Sequence, residues 1–142
     1  MSNILFEDIF DVRTINPDGK KFEGVNRIHC KGTTYDVGLI VDINSELFEI
    51  KTGDRTTIAF ASTLAMDGTP DNGQYNSTPG PSLLDSYDYV MHGRIFKIEH
   101  KEKEAQTILI SASFGGLLLR LEGDQSQLDN FSPDMRFYLL MR

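Results

Sequence analysis

Apolar side chains recur at every second position over most of this chain, the spacing of strands half buried on a sheet rather than of helices. Ile4, Phe6, Phe10 and Val12 share one parity while Glu7 and Asp11 take the other. Phe22, Ile28 and Cys30 share a parity in the next segment, with Arg27 and His29 opposite. Leu39, Val41 and Ile43 mark a third strand, Leu47, Phe48 and Ile50 a short one, and Thr57 to Ala61 another. Tyr89 to Glu99 reads as a long strand whose parity changes around Gly93, where a glycine marks a bulge or a bend. Ile108, Ile110, Ala112 and Phe114 line one face. Leu117, Leu119 and Leu121 then alternate with Leu118, Arg120 and Glu122, and a last strand runs through Phe137, Leu139 and Met141.

Turn chemistry separates these segments. Asn16-Pro17-Asp18-Gly19 combines a fixed φ with a glycine that admits positive φ, and Gly32-Thr33-Thr34 reads as a hairpin connection. The best helix candidate is short, Asp124 to Asn130, capped by Asp124 and stopped by Pro133. Many short strands joined by turns predict an all-β chain, a closed or nearly closed antiparallel barrel. A length of 142 residues fits a single domain, 1–142. Residues 64–86 break the pattern, with three of the five prolines (Pro70, Pro79, Pro81) and few large apolar side chains. They read as a mobile acidic surface loop inserted between strands. Lys101-Glu102-Lys103-Glu104 reads as a solvated hairpin tip.

Charge bounds the function. The net charge of −7 opposes non-specific attraction to nucleic acid, where Lys and Arg must displace counterions. The single cysteine, Cys30, excludes an intramolecular disulfide and a multi-cysteine zinc site. The segment from Met1 to Asp8 carries acids where a signal peptide has a basic region, and no apolar run reaches membrane-spanning length. The expectation is a soluble intracellular protein with no membrane role.

No constellation in the chain suits catalysis or a metal, and no cofactor is expected. His29 and Cys30 are strand neighbours and point to opposite faces, which prevents a thiol–imidazole pair and leaves Cys30 as a small core residue. His29, His92 and His100 lack metal-ligand spacing. Asp67 to Gly73 only superficially resembles a calcium loop, because Gly68 and Pro70 occupy early ligand positions. Glu7, Asp8 and Asp11 read as solvent-facing acids. Two segments carry more. Arg94-Ile95-Phe96-Lys97 interleaves cations and an aromatic as single-strand-binding barrels do, so Arg94, Phe96 and Lys97 form an alternative nucleic-acid site. Leucine lies on both faces of Phe114 to Leu121, and Tyr89-Val90-Met91 is also two-sided. A strand facing water on one side should be polar at Leu118, so this face either is covered within the domain or meets another protein.

Four stretches resemble the common barrel subunit of the nuclear RNA polymerases I, II and III. They are Ile4 to Val12, Asp88-Tyr89-Val90-Met91-His92-Gly93, Phe114 to Gly123 with its Gly115-Gly116 pair, and Tyr138-Leu139-Leu140-Met141-Arg142. Their order and spacing span nearly the whole chain, and residues before Tyr87 look like that family's variable loop. The chain departs from the pattern at His92, where Tyr is usual, and at Leu119, where Met is usual. The resemblance implies a Greek-key barrel of about eight strands related to the oligonucleotide-binding fold. It implies a non-catalytic subunit in the nucleus, including the nucleolus for polymerase I, docked on the largest polymerase subunit without direct nucleic-acid contact. Tyr89, Met91, Gly115, Gly116, Leu118 and Arg120 are then expected to belong to or frame the contact surface. The paired glycines would admit a foreign backbone, and Arg120 would hydrogen-bond partner carbonyls or a carboxylate.

Overall fold

The alternating segments form eight strands: β1 (Ile4–Ile15), β2 (Val25–Gly32), β3 (Gly38–Asn44), β4 (Arg55–Ala61), β5 (Tyr89–His100), β6 (Thr107–Phe114), β7 (Leu117–Asp124) and β8 (Arg136–Met141). The computed structural model describes residues 4–19, 23–63, 86–100 and 106–142. The expectations for the 64–86 loop, the Asp67 to Gly73 stretch, Phe22 and the Lys101 to Glu104 tip lie outside those residues, apart from Ser86. All pairings are antiparallel, and the strands close in the order β1-β2-β3-β7-β6-β5-β8-β4, with β4 returning to β1. Closure leaves no sheet edge, and an eight-stranded barrel is just wide enough for side chains to fill.

The interior is the set of alternating apolar residues. Phe10, Ile28, Leu39, Ile58, Ile95, Ile110, Leu121 and Phe137 are all fully buried. An aromatic cluster occupies the centre, with Phe137 at 5.9 Å from Phe60, 5.3 Å from Phe114 and 6.0 Å from Phe131 between ring centroids. Burying each such ring stabilises the fold by about 1.5–3 kcal/mol. Cys30 is buried in this core, and burial pushes its thiol up to about 12. Gly93 is required by packing. A Cβ there would lie 2.5 Å from Cδ1 of Phe114 and 2.6 Å from the Ser113 carbonyl oxygen.

Four expectations change. Leu47 to Ile50 is loop rather than strand, although Ile50 is buried. Asp124 to Asn130 is a succession of turns. Bonds run from the Gln127 N–H to the Asp124 carbonyl (3.0 Å) and from the Leu128 N–H to the Gln125 carbonyl (3.2 Å), a three-residue spacing. Asp124 accepts from the Ser126 N–H and hydroxyl, which holds a local turn. Leu128 and Phe131 are thereby buried in the core. The parity of β5 is constant through Gly93 and changes after Ile95, where a bulge leaves both Phe96 and Lys97 exposed. Asp8 is not solvent-facing. It shares the inward parity of Phe6 and Phe10, and its carboxylate accepts from the N–H groups of Ile9, Thr34 and Tyr35. It satisfies the backbone of the β2–β3 connection, and it lies 2.6 Å from where a Cβ on Gly32 would be.

Candidate partner-docking face

The outward positions of β5, β6, β7, β3 and β2 lie side by side in two rows. In one row Arg94 pairs with Ser113, and Ser113 with Leu118. In the next, Lys97 pairs with Ser111, Ser111 with Arg120, Arg120 with Ile40, and Ile40 with His29. Neighbouring positions in a row are about 4.8 Å apart. Thus the two residue sets separated in the sequence, Arg94–Phe96–Lys97 and Leu118–Arg120, share one continuous surface.

Serine at both central positions of β6 makes a low floor. Ser111 is only 8% exposed although it points outward, which fits the long side chains of Lys97 and Arg120 on either side of it. Above that floor stand Phe96, 58% exposed at the bulge, and Leu118, 44% exposed on β7. Gly115 and Gly116 form the two-residue turn between Phe114 and its partner Leu117, with φ of 63° and 105°. Positive φ at both central residues is the hairpin geometry that follows strand twist, so backbone conformation alone accounts for both glycines. They are exposed at the tip beside Leu118, and a Cβ on either would meet nothing within 4 Å.

Two members of the expected surface lie elsewhere. Tyr89 pairs with Met141 and Met91 with Leu139, so both project into the barrel. Tyr89 is 5% exposed, and its hydroxyl accepts from the Asn44 N–H at 2.9 Å. Burial raises its pKa, and the Asn44 hydrogen bond opposes that shift. Met91 packs on the core from a partly buried position. The two-sided run at Tyr89-Val90-Met91 has another cause. Val90 on the outer face joins a second apolar cluster with Ala59, Ala61 and Leu140, partly covered by Tyr87 and Tyr138.

One residue of this face had no sequence signal. Asp42, on the outer side of β3, is 6% exposed. It accepts from Arg27 at 2.7 and 3.1 Å and from the Leu118 N–H at 3.0 Å. The β3–β7 register ends at Val41 and Leu119, so the carboxylate links the strands where the ladder stops. The hydrogen bond to Asp42 is the main cause that raises the Arg27 pKa, with smaller contributions from the charges of Asp42 and Asp18 and an opposing one from burial. Elsewhere the cations of the face are partly neutralised, Arg94 by Asp134 at 3.1 Å and Lys97 by Glu99 at 3.1 Å. Those pairings disfavour the nucleic-acid reading of Arg94, Phe96 and Lys97. Among the described residues no group of three or more His, Cys, Asp or Glu is placed to hold a metal ion.

Residues 7–142 match the family model described as RNA polymerase Rpb8. A Dictyostelium discoideum protein named DNA-directed RNA polymerases I, II, and III subunit rpabc3 is 44% identical over 142 residues, covering 100% of this chain and 99% of its own length. The Saccharomyces cerevisiae RPABC3 subunit of polymerases I, II and III is 40% identical, with full coverage of both chains (100% each). An Arabidopsis thaliana protein named subunit 8B of RNA polymerases II, IV and V is 40% identical over 98% of this chain and 95% of its own length. A match that runs through seven of the eight strands in full and most of the first, joined by relatives of the same length, leaves one conclusion: the chain belongs to the RNA polymerase Rpb8 family.

Proposed function

We propose that this protein is a non-catalytic structural subunit shared by the nuclear DNA-directed RNA polymerases I, II and III. It docks on the largest subunit, in the nucleus and, for polymerase I, the nucleolus. Full-length similarity to proteins named as shared polymerase subunits supports the assembly. The observation that carries the docking surface is the exposure of Leu118, an aliphatic side chain standing 44% open beside Arg120 and across the serine floor from Phe96. A partner that covers this face removes Leu118 and Phe96 from water and gives Arg120 an acceptor. The closed barrel supplies its own core, so the effect on the polymerase is mass action: a domain that binds the folded assembly stabilises it.

Gly115 and Gly116 frame the face at its hairpin end. Tyr89 and Met91 support it from inside, by fixing β5 against β8. The test is a pull-down from nuclear extract with the tagged chain, reading out co-purifying polypeptides. Leu118→Asp is expected to lose the largest subunit while the isolated domain keeps its β-sheet circular dichroism and its melting temperature. Full co-purification by that variant removes Leu118 from the interface.

A further inference from the structure

Beside the Leu118 row, the outer sheet holds a groove of about 350 Å³ lined by His29, Gly38, Ile40, Leu109, Arg120 and Glu122. It exists because β3 contributes small or short groups there. Gly38 has no side chain, and a Cβ on it would meet nothing within 4 Å. Ile40 is the floor, with His29 on one side and Arg120 on the other in the same row.

Two groups in this groove lack partners among the described residues. The cations of β2 and β5, Arg27, Lys31, Arg94 and Lys97, each lie within ion-pair distance of an acid. Arg120, exposed on β7, makes no ion pair with any described residue. The Nε2 atom of His29 is shielded from solvent and has no hydrogen-bond partner. A shielded polar atom without a partner is disfavoured, and an acceptor in the groove removes that defect once the ring turns toward it.

We propose that this groove receives a single carboxylate side chain from an extended segment of the docked polypeptide, held between Arg120 and His29 over Ile40. The proposal rests on the docking reading above and names the chemistry of the docked segment. A carboxylate accepts two parallel bonds from a guanidinium and has lone pairs left for an imidazole N–H. Ile40 as the floor suits an aliphatic neighbour beside that acid.

The experiment uses a polymerase preparation lacking this subunit, titrated with the full chain. Arg120→Glu is expected to weaken docking about tenfold or more, since it sets two carboxylates against each other. Arg120→Lys keeps the charge but not the paired bonds, so its docking is expected to fall between wild type and Arg120→Glu. It also introduces an amine that a zero-length carbodiimide reagent joins to a carboxylate in contact, and mass spectrometry of the product reads an amide link to an Asp or Glu of the polymerase. That cross-link together with the Arg120→Glu loss supports the site, with unchanged melting of both variants showing that the fold is intact. Wild-type affinity in Arg120→Glu alongside loss in Leu118→Asp overturns the carboxylate site and leaves the docking face standing. Failure of the wild-type chain to dock overturns both. Absence of the cross-link, with Arg120→Glu abolishing binding to a labelled single-stranded RNA, overturns the site in favour of a phosphate ligand.

Discussion

Replacing Asp42 by Ala tests whether the outer face is tied to the fold by a backbone bond or by a surface ion pair. The carboxylate makes both, holding Arg27 through two hydrogen bonds and the Leu118 N–H through one. The Arg27 side chain is 39% exposed and the Asp42 side chain 8%, so the pair is screened on one side only. Loss of a pair this open costs about 0–1 kcal/mol after screening. The Leu118 N–H lies beyond the end of the β3–β7 ladder and has no strand partner on that side, so removing its acceptor adds about 1–3 kcal/mol. The expected total for Asp42→Ala is about 2 kcal/mol, a fall in melting temperature of roughly 6 °C for a domain of this size. Arg27→Ala leaves the Leu118 bond in place and lets water reach the carboxylate, for an expected cost of about 1 kcal/mol or less. Asp42→Asn keeps one acceptor oxygen without the charge and falls between them. Equilibrium urea unfolding of the three variants, followed by β-sheet circular dichroism, gives the comparison. Equal destabilisation by Asp42→Ala and Arg27→Ala would refute the assignment, since the Leu118 bond would then contribute nothing.

Gly93→Ala is expected to destabilise the barrel by about 1–3 kcal/mol in the same unfolding assay, because the new methyl group meets the Phe114 ring and a backbone carbonyl. Cys30, its thiol pushed up to about 12 by burial, should resist a thiol-reactive chromogenic reagent at pH 8 in the folded chain and react at once in denaturant. Fast native labelling would place that thiol outside the core. Tyr87 is pushed from 10.0 up to about 12, first by burial and then by its hydroxyl's bond to Glu7 at 2.7 Å. The raised value favours the folded state fully below pH 10, and that contribution fades as pH rises through about 12. Ultraviolet titration of the phenolate with and without Glu7→Gln should show the Tyr87 transition move to lower pH in the variant.

The strands were legible because their period is two and their faces differ in polarity. Phe10, Ile28, Leu121 and Phe137 are fully buried where alternation places them. The outward set Leu118 and Arg120 followed from the same parity. Parity failed where both faces of a strand are apolar. In Tyr89-Val90-Met91 it cannot tell the barrel interior from the second cluster around Leu140, and so Tyr89 and Met91 read as belonging to or framing the contact surface. It also failed for acids. Asp8 and Asp42 look like any solvated carboxylate in the sequence, and only the positions of the Thr34, Tyr35 and Leu118 N–H groups show why each is buried. Asp124 is a related case, since a capping residue suits a turn as well as a helix start.

The face makes sense of a composition that otherwise gives little away. A net charge of −7 opposes non-specific attraction to nucleic acid, and on the outer side of β5 to β7 Asp134 and Glu99 partly neutralise Arg94 and Lys97, which leaves Arg120 as the cation there without an ion pair to any described residue. On the proposed docking, that one charge helps to orient a partner that bears an acid there, an effect on encounter rate more than on affinity. On the proposed docking, apolar burial comes from Phe96 and Leu118, which serines on β6 keep apart. Separate apolar residues are ordinary on a soluble monomer, whereas a merged patch would promote self-association. Because the barrel closes and fills without this face, changes at Leu118 or Arg120 should affect docking and leave folding alone. Asp42 is the exception, buried at the border where the ladder ends and bonded to the backbone of Leu118 itself, so its loss should weaken both together.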